Sequence, residues 1–105
     1  MQKILLIGAG KSTTYLIDYL AKHAAEGALS LTDGDVSMAH AEKNCRDYRH
    51  ITPIRFDCFD ETDRKNHLPQ ADLVISMLPA HLHLEVARDC LKYGKHLVTA
   101  SYVSD

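Results

Sequence analysis

The residues best suited to chemistry fall in a few short groups. Gly8-Ala9-Gly10-Lys11-Ser12-Thr13 joins an aliphatic run to an amphipathic one. Between a strand and a helix, such a turn is the first part of a dinucleotide fingerprint. Gly8 permits the tight turn, and Gly10 lets a pyrophosphate approach the backbone. The helix start offers free N–H groups and the positive end of its dipole. Lys11, Ser12 and Thr13 add donors. The third fingerprint position, usually Gly or Ala, is Thr13, whose bulk is expected to push the helix outward. A nucleoside-triphosphatase loop is excluded, because it needs a glycine where Leu5 stands.

Asp33 follows Gly10 by 23 residues. A carboxylate near this distance can accept hydrogen bonds from the adenosine ribose, and it repels a 2′-phosphate. Gly34, next in the chain, offers no cation. The expected cofactor is therefore NAD rather than NADP. The plainer alternative is that Asp33 only begins a turn or caps the next helix, a role for which Asp35 is the better candidate. Asp57-Cys58 falls where a third strand ends, either bordering the adenine or in a solvated loop.

Of seven histidines, only His81 and His83 are close. No Glu or Cys stands at ligand spacing beside them, so no metal site is expected. They follow the fourth strand, on the sheet edge where ligands of open α/β folds bind. They are either substrate-side contacts or solvated residues. Cys45, Cys58 and Cys90 are odd in number and widely spaced, which fits reduced, semi-buried thiols in a cytoplasmic protein. Tyr15 and Tyr19 fall on the apolar face of the first helix and are expected in the core. No nucleophile–base–orienter set is visible, and Ser12 lacks the G-x-S-x-G elbow. The pattern is that of a cofactor platform whose chemistry is completed elsewhere.

These groups need elements to hold them. Lys3–Ile7 reads as a buried parallel strand. Lys11–Glu26 has helical spacing at Tyr15, Leu16, Tyr19, Leu20 and Ala24, ending at Gly27. Strands are expected at Ala28–Thr32, Ile51–Phe56, Ala71–Leu78 and His96–Ala100. Helices are expected at Val36–Arg46, Asp60–Leu68 with Asp60 as cap, and Leu82–Tyr93 before Gly94. The alternation predicts an α/β, Rossmann-like, doubly wound parallel sheet in three αβα layers. Right-handed crossovers give the order 3-2-1-4-5, with a crevice between strands 1 and 4.

Twelve Lys plus Arg against 14 Asp plus Glu give a net charge of −2, with 46% apolar residues. Disorder and electrostatic binding of nucleic acid are not expected. The longest apolar run, Ile4 to Ile7, is far short of a membrane span. One domain fits residues 1–105, and no signal peptide is read at the start.

Two segments carry a resemblance. Val74-Ile75-Ser76-Met77-Leu78-Pro79 with His83 four residues later, and Val98-Thr99-Ala100-Ser101-Tyr102-Val103-Ser104, are similar to the N-terminal NAD(P)-binding domain of saccharopine dehydrogenase-like oxidoreductases. With Ile4–Leu20, the resemblance spans nearly the whole chain, though positions 35 to 70 match only in outline. It implies hydride transfer at a C–N bond of an amino-acid-derived secondary amine. It implies that Ser76, Leu78 and Pro79 lie near the ribose–nicotinamide half, and that Ser101 and Tyr102 lead towards substrate. Ala80 and His81 stand where aromatic and hydroxylic residues are expected in the glutamate-forming enzymes. The family also implies an absent substrate domain, a possible homodimer, and a chain that is an excised fragment. The alternative is a non-catalytic, nucleotide-sensing regulatory domain of similar layout, which the lack of catalytic groups leaves open.

Overall fold

Aliphatic side chains at positions 4 to 7 must be buried on both sides of their strand, because consecutive residues of a strand point to opposite faces. The computed structural model of the chain, which describes residues 2–8, 16–22, 27, 29–46, 48, 51–78 and 83–99, meets this requirement. β1 (Gln2–Ile7) lies at the centre of a sheet with β2 (Leu29–Asp35), β3 (Ile51–Arg55), β4 (Leu73–Ser76) and β5 (His96–Thr99). All pairings are parallel and the order is β3-β2-β1-β4-β5. This is the Rossmann-like order that right-handed crossovers favour.

The helices are α1 (residues 16–22), α2 (Met38–Cys45), α3 (Glu61–His67) and α4 (His83–Lys92), with a short 3-10 turn at Leu68–Gln70. Ile4 and Leu6 pack against Ile17, Leu20 and Ala21 of α1 and Cys45 of α2. Leu5 and Ile7 face the other way, onto Phe56, Leu68, Val74, and Val86 and Cys90 of α4. Both faces are thus covered, as in other parallel sheets. Asp60 caps α3, its Oδ1 accepting from Thr62 N at 2.8 Å. Ser37 caps α2, accepting from His40 N at 3.2 Å. Among the described residues, no helix is long and apolar enough to cross a membrane.

Three details differ from the sequence reading. β2 does not stop at Thr32 but runs on to Asp35, paired with β1 and β3 through Gly34. The Asp-Gly-Asp run resembles a turn, yet Gly34 serves close approach instead: a Cβ there would sit 2.9 Å from Phe56 Cβ. Second, Tyr19 is exposed, because Ile17, Leu20 and Ala21 already fill the buried stripe of α1. Third, β3 stops at Arg55, one residue short of the expected Phe56, with Pro53 inside it. Pro53 is tolerated because β3 is an edge strand.

Candidate nucleotide-binding cleft

The sheet order places the carboxyl ends of β1, β2 and β3 side by side, and backbone hydrogen bonds continue past the strands there. Gly8 N donates to Gly34 O at 3.1 Å, Met77 N to Ile7 O at 2.8 Å, and Phe56 N to Asp35 O at 2.7 Å. A cleft of about 270 Å³ opens above these bonds. Ile7, Gly8 and Gly34 form its floor, Asp35 and Val36 one wall, Phe56 to Phe59 the opposite wall, and Leu78 closes it. The volume is near the lower end of small-molecule sites. A smaller hollow of about 90 Å³ lies at the opposite, amino edge, beside Lys3, Ser30 and Gln70.

Gly8 has φ +124°, and a Cβ on it would meet Met77 Cβ at 3.0 Å. Only glycine combines that backbone angle with that approach. Val36 and Phe59 are large apolar residues of the cleft lining, exposed at 63% and 65%. Asp35 lines the same cleft beside Val36, but its side chain is only 5% exposed and its Oδ2 is buried. Its Oδ1 accepts from Ser37 N at 2.9 Å, and its Oδ2 is 2.9 Å from His40 Nδ1. Asp57 on the other wall accepts from Phe59 N at 2.9 Å, and its own N–H donates to Asp63 Oδ2 at 3.0 Å.

Asp33 is fully buried and does not line the cleft. Its Oδ2 accepts from Cys45 Sγ at 3.7 Å, while its Oδ1 has no hydrogen-bond partner. Burial, reinforced by the neighbouring Asp35 carboxylate, pushes its pKa up to about 6. Burial, reinforced by the Asp33 carboxylate, pushes the Cys45 thiol to about 12. Burial and Asp57 raise Cys58, and burial and Asp89 raise Cys90 to about 11. All three cysteines are free and buried. At neutral pH they are thiols rather than thiolates, and so are poor nucleophiles.

The structure therefore brings Gly8, Asp57, Cys58 and Leu78 to one cleft. Ser76 is fully buried in β4, paired in register with Ile7 and Thr99. His83 opens α4. Ala9, Gly10, Lys11, Ser12, Thr13, Pro79, His81, Ser101 and Tyr102 lie outside the described residues. Among the described residues, no group of His, Cys, Asp or Glu could hold a metal ion. Asp35, Val36 and Phe59 are cleft residues that the sequence reading does not single out as ligand contacts. The available signal is their position at or just after the ends of strands 2 and 3, on the edge where such sheets bind ligands. Chemically, the cleft offers apolar walls for a flat ring, carboxylates at Asp35 and Asp57 that already accept from Ser37 N and Phe59 N, and, among the described residues, no Lys or Arg in its lining.

Comparison with known proteins gives a consistent result. The family model described as "Saccharopine dehydrogenase NADP binding domain" matches residues 4–105. An alpha-aminoadipic semialdehyde synthase of Arabidopsis thaliana is 32% identical over 97% of the chain and 11% of its own length. A saccharopine dehydrogenase [NADP(+), L-glutamate-forming] of Pyricularia oryzae is 30% identical over 98% of the chain and 22% of its own length. The apo saccharopine dehydrogenase (L-Glu forming) of Saccharomyces cerevisiae superposes with a TM-score of 0.87 at 27% identity. That match covers 99% of this chain and 22% of the yeast chain. The chain thus spans no more than 22% of the length of these relatives. It belongs to the family of saccharopine dehydrogenase NADP-binding domains.

Proposed function

We propose that this domain holds the adenosine half of a nicotinamide dinucleotide in the cleft at the carboxyl edge, as part of an oxidoreductase acting on a C–N bond of an amino-acid-derived secondary amine. The observation that carries the reading is the cleft itself, lined by Asp35 together with the exposed Val36 and Phe59. Its Gly8 floor gives a pyrophosphate close access to backbone, the two apolar side chains suit a purine, and Asp35 suits the ribose hydroxyls. The bound dinucleotide would supply the hydride chemistry, and these residues would bind and orient it. The substrate class rests on the names of the relatives, saccharopine dehydrogenase among them.

The family description specifies NADP, against the NAD preference drawn from Asp33. The residues on the cleft favour NAD, with Asp35 rather than Asp33 as the ribose contact. Among the described residues, Asp35 and Asp57 are the charged groups lining it, and neither welcomes a 2′-phosphate. NADP is kept as the second reading because the family and the Pyricularia oryzae enzyme are both described by it.

Phe59→Ala tests the purine assignment. Base–aromatic stacking is worth about 1–3 kcal/mol, so AMP affinity measured by calorimetry falls by roughly tenfold. Phe59 is mostly exposed, so unfolding stability changes by about 0.5 kcal/mol or less. Unchanged AMP affinity would place the purine elsewhere.

A further inference from the structure

Arg64 is a charged side chain buried to 6% exposure in a helix that is otherwise polar and short. Its Nε donates to Asp89 Oδ2 of α4 at 2.6 Å, and its Nη1 donates to the Cys58 carbonyl at 2.7 Å. Nη2 lies 3.7 Å from Glu85 Oε2. Glu85 and Asp89 are the acidic groups facing it from α4, and Arg88 lies 3.6 Å from Glu85. The preceding residue, Asp63, accepts from Asp57 N. Two adjacent residues of α3 therefore grip the loop that forms one cleft wall, one at the Asp57 amide and one at the Cys58 carbonyl.

Packing α3 on α4 does not require a guanidinium. Apolar residues in place of a buried ion pair often hold elements together as well or better, because they avoid the desolvation cost. What an apolar side chain cannot do is donate to a carbonyl on the cleft wall while anchored to a second helix. Arginine's planar fork does both at once.

We propose that Arg64 is a positioning residue for the adenosine cleft, fixing the Asp57–Phe59 wall through the Cys58 carbonyl without touching the ligand. This rests on the adenosine reading given above. The clamp sets where Phe59 stands relative to Val36, and hence how well a ring fits between them.

The experiment is AMP titration and amide hydrogen exchange on the unaltered chain, Arg64→Met, Arg64→Lys, and Ile17→Ala. The last variant destabilises the opposite face of the sheet and serves as a control for stability alone. Arg64→Met removes the hydrogen bonds to both Asp89 and the Cys58 carbonyl, and loss of the charge-assisted one on the cleft wall predicts an AMP Kd about tenfold weaker. The Asp57 and Phe59 amides should exchange faster in the same variant. Arg64→Lys keeps the charge near Asp89 but loses the fork, so it recovers stability more fully than affinity. Ile17→Ala lowers stability and leaves AMP affinity within about twofold. The proposal is overturned if folded Arg64→Met binds AMP as tightly as the unaltered chain with unchanged exchange, or if Ile17→Ala weakens AMP equally. If the unaltered chain binds no AMP, the adenosine reading itself falls, and the proposal falls with it. In that case, faster exchange at the Asp57 and Phe59 amides in Arg64→Met would show that the clamp holds the loop and that only the adenosine reading failed, whereas unchanged exchange would overturn the clamp as well.

Discussion

Asp33→Asn raises the stability of the domain by up to about 3 kcal/mol at pH 8 and by no more than about 0.5 kcal/mol at pH 4. The cause is the burial of this carboxyl, whose pKa is raised from 3.8 to about 6, first by desolvation and then by Asp35. The folded state holds the proton more tightly than the unfolded one. The contribution to stability is therefore fully present below pH 3.8 and is lost as pH rises to about 6. Above that pH, a carboxylate with an unpartnered Oδ1 stays buried at a cost. Asparagine keeps the shape and removes the charge. Urea unfolding of both proteins at the two pH values checks this. An equal difference at both values would mean that ionisation of Asp33 is not the source.

Gly8→Ala costs about 3 kcal/mol or more and damages the cleft floor at the same time. At φ +124° an L side chain is strained. The added methyl would also sit 3.0 Å from Met77 Cβ and 3.2 Å from the Met77 carbonyl carbon. Backbone must move to relieve this, and the nearest backbone bonds, Gly8 N to Gly34 O and Met77 N to Ile7 O, tie β1 to its neighbours. Thermal unfolding should show a large drop in Tm. Nucleotide affinity measured well below that Tm should fall too. A variant with Tm close to that of the unaltered chain would show that the turn relaxes freely.

The sheet is legible in the sequence because its signals are local. Ile4 to Ile7, Val74 with Ile75, and the spaced apolar residues of the helices report burial and period directly. Strand order then follows from handedness rather than from any residue. The end of β2 is hidden because Asp-Gly-Asp carries turn chemistry, while the reason for Gly34 is Phe56, 22 positions away in the chain. The same ambiguity points to Asp33 instead of Asp35. Spacing from Gly10 indicates a carboxylate near the end of β2, but two residues on one face of the strand satisfy it. Both are buried, and only the structure shows that Asp35 lines the cleft while Asp33 is sealed against Cys45 of α2. Arg64 is illegible for a similar reason: in sequence it belongs to a charged run, Asp63-Arg64-Lys65, and its burial depends on Asp89 and Cys58.

The central claim is that the cleft beside Asp35 holds the adenosine half of the dinucleotide. Calorimetric titration with NADH and NADPH of the unaltered chain, Asp35→Asn and Asp33→Asn tests it most directly. NADH should bind more tightly than NADPH. Removing the Asp35 charge should shrink that preference by roughly tenfold, as expected when a carboxylate no longer faces a phosphate a few ångströms away. Asp33→Asn should leave the preference in place. Binding of neither dinucleotide at millimolar concentration, or binding indifferent to Asp35, would contradict the account.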